Sequence, residues 1–108
     1  MKSEIKITVE KDNTHIPETI TWEAQDTGTN QVYQADAMAF TVWDKTEKTS
    51  MGLHLWTKDM VVDDMYNFTA QTIHLLAETL ENSTKDSDAA QMIHEFAEDF
   101  LKKLSDTK

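Results

Sequence analysis

The fold is decided by the stretch Met38-Ala-Phe-Thr-Val-Trp-Asp44 and, after a polar link, Met51-Gly-Leu-His-Leu-Trp-Thr57. Successive side chains along a strand lie on opposite faces of the sheet. Both segments are short and contain β-branched and aromatic residues, as strands typically do. Joined by a short polar link, they predict an antiparallel hairpin. Both of its faces are rich in apolar groups. We therefore expect one face to cover a core and the other to meet a partner.

The length of the turn predicts the register of this hairpin. If Lys45 pairs with Ser50, the loop comprises residues 46–49, a common length for hairpins. Val42 then lies opposite Leu53, and Phe40 lies opposite Leu55. The aliphatic face holds Met38, Phe40, Val42, Leu53 and Leu55, and the tryptophan face holds Ala39, Thr41, Trp43, Gly52, His54 and Trp56.

The tryptophan face is the candidate functional surface. Two indoles on an open sheet leave an apolar patch, and such patches usually mark interaction sites. The predicted interaction residues are Trp43, His54 and Trp56, with Lys58 and Asp59 at the corner of the sheet. The occupant is either a protein partner or a second copy of the chain in a homo-oligomer, and a cover supplied by residues 26–36 is the intramolecular alternative.

Two further strands are predicted upstream of the hairpin. Apolar and polar residues alternate in residues 5–9 and again in residues 20–24. The turn-rich residues between them favour antiparallel pairing, and Pro17 is restricted to the start or edge of a strand. Trp22 is expected in the core. Residues 26–36 are expected to form a loop with a helical turn towards its end, near residues 32–36.

Two amphipathic helices complete the chain. Apolar residues recur three or four apart from Met65 to Leu80, and again from Ala89 to Leu104. Asp86 or Ser87 is expected to cap the second helix. No internal repeat is apparent. The predicted fold is α+β in a single domain of residues 1–108: a four-stranded antiparallel sheet followed by two antiparallel C-terminal helices packed on one of its faces.

Composition excludes several classes of function. The 108 residues carry 20 acidic and 10 basic side chains, which gives a formal net charge of −10. This excess repels nucleic-acid phosphates and anionic lipid. Cysteine is absent, so thiolate chemistry and Cys-based metal sites are excluded. Without a signal-like or membrane-spanning apolar run, the sequence predicts a cytoplasmic protein that neither binds nucleic acid nor inserts into a membrane.

No catalytic constellation stands out in the sequence. A Gly-x-Ser-x-Gly motif is missing, and two glycines are too few for a phosphate-cradling loop. His74 with Glu78 and His94 with Glu98 have a spacing that suits metal binding, although side-chain pairing between helix turns is the commoner role. We therefore predict no enzyme, cofactor or metal site. A metal-dependent hydrolase built on these four residues is the less favoured alternative.

Several short stretches carry a resemblance to a known family. They are Ser3-Glu-Ile-Lys-Ile7, His15-Ile-Pro-Glu18 with Ile20 and Trp22, Trp43-Asp44, Leu55-Trp-Thr-Lys-Asp-Met60, Val62-Asp-Asp-Met65, Phe68 and Gln71-Thr72. On these residues the chain resembles the GldC family of gliding-motility proteins from the Bacteroidetes. The likeness spans nearly the whole chain and is strongest up to Thr72.

The resemblance implies a small accessory protein that assists gliding over surfaces, in a family to which no enzymatic activity or cofactor is assigned. Together with the residue patterns, it favours a binding module of the gliding machinery that acts through protein contacts. A chaperone-like holder of export substrates is the alternative. Four antiparallel strands followed by two helices, with an acidic surface, loosely resemble the SecB export chaperone.

Overall fold

The computed structural model describes residues 1–24 and 31–106, and these residues form five strands and two helices. The chain divides into two compact units, one from Met1 to Met60 and the other from Val61 onward. All five strands belong to the first unit and both helices to the second. The predicted α+β class, with strands before helices, is confirmed.

The first unit contains two antiparallel sheets. In one sheet β1 (Ile5–Lys11) pairs with β2 (Pro17–Ala24), which also pairs with β3 (Tyr33–Ala35). In the other, β4 (Ala37–Trp43) pairs with β5 (Ser50–Trp56). The prediction of a single four-stranded sheet is therefore wrong, because the described strands form sheets of three and two strands.

The division between the sheets lies at Asp36. The helical turn predicted near residues 32–36 is wrong: Tyr33 pairs with Trp22, and their rings stack with centroids 4.8 Å apart. The backbone bends at Asp36, and the residues beyond it pair with β5 instead of β2. One nearly continuous extended segment thus belongs to two sheets. The two-residue alternation of side chains continues through such a bend. The sequence pattern therefore does not reveal the residue at which the strand changes its pairing partner.

The predicted register of the β4–β5 hairpin is wrong by two residues. Phe40 lies opposite Leu53 and Val42 opposite Met51. The carboxylate of Asp44 explains the change, because it accepts hydrogen bonds from the backbone N–H groups of Thr46 (3.1 Å) and Glu47 (2.6 Å) and so starts the turn one residue earlier. A shift of two keeps every side chain on its predicted side. The two faces are therefore confirmed, with Met51 added to the aliphatic face.

The buried part of the three-stranded sheet centres on Ile20. This side chain is 1% exposed and lies between Val9 of β1 and Ala35 of β3 in the pairing register. Pro17 opens β2, as its missing N–H requires. Trp22, expected in the core, is instead partly exposed, with its indole stacked on Tyr33.

The second unit is a helical hairpin. Helix α1 (Val62–Thr84) ends at Lys85, whose left-handed backbone (φ 64°) donates its N–H to the carbonyl of Glu81. Helix α2 (Ser87–Asp106) follows at once, and the Asp86 carboxylate accepts a hydrogen bond of 3.0 Å from the N–H of Ala89. Asp86 is therefore the N-cap, one of the two residues predicted for that role. So short a link makes the two helices antiparallel neighbours.

Alanines line the contact between the two helices. Ala70, Ala77, Ala90 and Ala97 are all 0% exposed. Small side chains allow two helix backbones to approach closely. Larger residues also meet across the helical hairpin, since the rings of Tyr66 and Phe100 stack with centroids 5.6 Å apart. The predicted stripes are accordingly wrong in part, because Leu76, Met92 and Phe96 are exposed.

Candidate functional site

The two tryptophans of the predicted surface lie on one face of the β4–β5 hairpin, at opposite ends. Trp43 sits opposite Ser50 and Trp56 opposite Ala37. Six strand positions separate them, about 20 Å at ~3.3 Å per residue. Their side chains are 64% and 59% exposed, respectively. The face therefore presents two separate indole anchors rather than one aromatic cluster.

His54 lies between these anchors and covers Gly52. A Cβ atom built on Gly52 would stand 3.0 Å from Nε2 of His54 and 3.3 Å from the carbonyl oxygen of Phe40. The imidazole thus occupies the space that a side chain at position 52 would take. This explains why the strand tolerates a glycine there, although glycine usually weakens a strand interior.

The opposite face of the same hairpin is also exposed. Phe40, Val42, Met51 and Leu53 each keep roughly half of their surface accessible. Charged residues are absent from both strands. The hairpin is therefore apolar on two sides.

Behind Trp56, the chain is fixed at the joint between the two sheets. Thr57 is 2% exposed, and its N–H donates a 2.8 Å hydrogen bond to the carbonyl of Asp36. Its hydroxyl lies 3.4 Å from the Asp36 carboxylate. Thr57 thus holds the exit of β5 against the bend at Asp36 and fixes the orientation of the strand that carries Trp56.

Lys58 extends this joint to the start of β2. Its backbone N–H donates to the carbonyl of Pro17 at 3.3 Å, and its Nζ lies 3.0 Å from Oε1 of Glu18 and 3.6 Å from Oδ2 of Asp12. The hydrogen bond to Glu18, with the charges of both carboxylates, raises the pKa of Lys58. Lys58 is therefore engaged within its own unit, and the exposed carboxylate of Asp59 is the more accessible charge at this corner.

Asp12 organises the turn that supplies one of these carboxylates. Its Oδ1 accepts hydrogen bonds from the N–H of Ile16 (3.0 Å) and from the N–H and hydroxyl of Thr14 (2.8 and 2.7 Å). These bonds, led by that of Ile16, lower the pKa of Asp12 from 3.8 to about 2, and the charge of Lys58 adds to the effect. The sequence indicates a turn here, but the contribution of Asp12, Glu18 and Asp36 to the site was not predicted.

The helical hairpin brings two of the predicted metal-ligand candidates together. Nδ1 of His74 lies 2.6 Å from Nδ1 of His94, and the rings stack with centroids 4.8 Å apart. One nitrogen must donate and the other accept, so both rings cannot carry a proton on Nδ1. Within the described residues no three His, Asp or Glu side chains converge as metal ligands. The contact is therefore an interhelical hydrogen bond, and the hydrolase alternative gains no ligand set from it.

An internal repeat underlies this contact. The pattern Ala-Gln-x-Ile-His-x-x-Ala-Glu occurs at residues 70–78 and again at residues 90–98. It contains both histidines and all four buried alanines of the helix contact. The expectation that the chain lacks a repeat is wrong. The repeat becomes visible when the sequences of the two helices are aligned on their histidines.

None of the described helices has both the length and the apolar run that crossing a bilayer requires.

Comparison with known proteins identifies the family. The model of the GldC-like family, described as gliding motility-associated protein GldC-like, matches residues 17–106. No curated protein and no solved structure matches the chain. The match includes β2 to β5 and both helices, and with them every residue of the predicted surface. The chain therefore belongs to the GldC-like family of gliding motility-associated proteins.

Proposed function

We propose that this protein is an accessory component of gliding motility that acts through protein contacts at the tryptophan face, without catalysis. The observation that carries the proposal is the exposure of Trp43 and Trp56 on one face that lacks charged residues. Tryptophan is among the residues most enriched at the positions that dominate binding energy.

The surroundings of Trp56 support a binding role. Thr57 and Lys58 fix the backbone immediately after it, through Asp36, Pro17 and Glu18. An anchor on a rigid strand loses less conformational entropy on binding than one on a free loop. Asp59 places an exposed carboxylate next to this anchor, which favours a partner that combines an apolar pocket with a basic rim.

A pair of matched double variants tests the proposal. The Trp43→Ala/Trp56→Ala variant removes both anchors, and the Phe40→Ala/Val42→Ala variant removes two apolar side chains of similar exposure from the opposite face. Each is expressed in a gliding bacterium in place of the native chain, with colony spreading and cross-linked partners compared at equal protein levels. We expect the tryptophan variant to lose spreading and partner recovery at least tenfold, as a hot-spot loss above about 1.4 kcal/mol requires.

Equal partner recovery from two folded variants would contradict this function. A greater loss from the Phe40→Ala/Val42→Ala variant would instead favour the chaperone-like alternative, in which the exposed aliphatic face holds unfolded export substrates. Suppression of the aggregation of an unfolded client by the purified protein would then be the corresponding measurement.

A further inference from the structure

The β4–β5 hairpin lacks the protection that free strand edges normally carry. Each strand contributes seven residues and none of them is charged, in a chain whose residues are 28% charged. Natural proteins protect an open edge with lysine, proline or a bulge. β1 follows this rule, because it contains Lys6 and Lys11 and its register shifts at Glu10. β5 has none of these features.

Among the described strands, β5 pairs with β4 alone, so one of its edges is open. The hydrogen bonds of Asp44 with Thr49 and of Thr57 with Asp36 fix which residues bond across the hairpin. In an antiparallel pair, bonded and non-bonded positions alternate. Leu53 therefore bonds inward to β4. The backbone N–H and C=O groups that point to the open edge belong to Ser50, Gly52, His54 and Trp56.

We propose that β5 pairs antiparallel with β5 of a second copy of this chain, about a two-fold axis through Leu53. The two hairpins then form one four-stranded sheet. This inference goes beyond the proposed function, because edge pairing leaves both faces of the sheet available to other partners.

The side chains of β5 complement themselves about this axis. On the tryptophan face, His54 would lie opposite Gly52 of the second copy, and Trp56 opposite Ser50, so that each large residue meets a small one. On the aliphatic face, Met51 would lie opposite Leu55, and Leu53 opposite its own counterpart. Identical strands in antiparallel pairing give a closed dimer. Three or four strands are also more stable than a two-stranded hairpin alone.

The absence of charge on β5 permits a second copy to approach this edge. A net charge of −10 makes two copies repel each other over most orientations. Like charges placed directly opposite each other destabilise a strand pair. At β5 two copies can approach without facing acidic side chains, since its seven residues include no carboxylate.

Solution mass with two variants of His54 is the first test. The N–H of His54 points to the open edge, so His54→Pro blocks edge pairing without removing a bond to β4, whereas His54→Thr keeps that N–H. Sedimentation over a concentration series should give twice the chain mass for wild type and His54→Thr, and a single-chain mass for His54→Pro. A wild type that stays monomeric over the series would overturn the proposal, as would a folded His54→Pro that remains dimeric.

Disulfide trapping is the second test and does not depend on the proline variant folding. The chain contains no cysteine, so a single substitution gives a clean readout. Leu53→Cys places two thiols opposite each other at the axis, a non-bonded position with a Cα separation of about 4.5 Å, within disulfide range. Leu55→Cys on the same face is the control, because its counterpart lies four residues away across the pair.

Mild oxidation should convert Leu53→Cys to a covalent dimer at least tenfold faster than Leu55→Cys. Equal rates would overturn the proposed axis. The outcome is separable from that of the tryptophan variants. If the protein is a dimer but recovers no partner, only the proposed function is contradicted. If it is a monomer that still recovers a partner, only the proposed dimer is contradicted.

Discussion

The two sheets of the first unit solve the problem of an exposed strand edge differently. The β1–β2–β3 sheet buries Ile20 completely and places lysines and glutamates along its strands. The strands of the β4–β5 hairpin have no charged residue, no fully buried side chain and apolar groups on both faces. The first sheet is therefore built to face water, whereas the hairpin has the composition of a sheet that is covered in use.

The two sheets also differ in what their side chains contribute to folding. Stability of the first unit depends on Ile20 and on the joint formed by Asp36 and Thr57, whose contacts are all within the chain. The exposed residues of the hairpin contribute less to folding than their size suggests, since they stay in contact with water.

The largest effect is expected at Ile20. Ile20→Ala removes a fully buried side chain of the three-stranded sheet and should lower the free energy of unfolding by about 2–5 kcal/mol, measured by urea titration. Ile5→Ala, at a side chain 71% exposed in the same sheet, is the control and should change it by about 0.5 kcal/mol or less. An equal loss of unfolding free energy in the two variants would contradict the view that this sheet has its own buried centre.

A smaller effect should couple Gly52 and His54. The methyl group of Gly52→Ala would meet Nε2 of His54 at 3.0 Å, so the imidazole must move aside. In the His54→Ala background the imidazole is gone, and the nearest remaining atom is the carbonyl oxygen of Phe40 at 3.3 Å. The two substitutions should therefore be non-additive by about 0.5–1 kcal/mol in a double-mutant cycle of unfolding free energies. Additive costs would show that the imidazole does not rest on Gly52.

The smallest effect is expected at Asp12. Because the folded-state pKa of Asp12 is lowered from 3.8 to about 2, the carboxylate stabilises the fold above pH 3.8, and this contribution disappears as the pH falls through about 2. Asp12→Ala should lower the thermal midpoint at neutral pH, with a difference from wild type that shrinks as the pH falls through about 2. Asn13→Ala, in the same turn, is the control. A difference that persists in acid would rule out the carboxylate as the cause.

The raised pKa of Lys58 acts in the opposite pH range. The protonated amine of Lys58 stabilises the folded state fully below the ordinary lysine pKa of 10.5. This stabilisation is lost only as the pH rises through the higher pKa of the folded state. The acid transition therefore reports Asp12 without interference from the Lys58 amine.

Local chemistry accounts for the parts of the fold that sequence predicts well. The two faces of the hairpin follow from the two-residue period, and an error of two in register leaves them intact. The N-cap at Asp86 and the strand start at Pro17 follow from single residues. The missed features involve distant partners: the change of sheet at Asp36 and the ion pair between Lys58 and Glu18.

By itself, the sequence determined the class of fold, the sides of the hairpin on which its tryptophans lie, and the family to which the chain belongs. These depend on periodicity, capping and short motifs, which act over a few residues. Only the tertiary structure decided that Asp36 divides the sheet, that Thr57 and Lys58 close the joint between its parts, and that four alanines of the helical hairpin are completely buried. Each of these depends on which distant groups come within hydrogen-bonding or packing distance, and no local pattern specifies that distance.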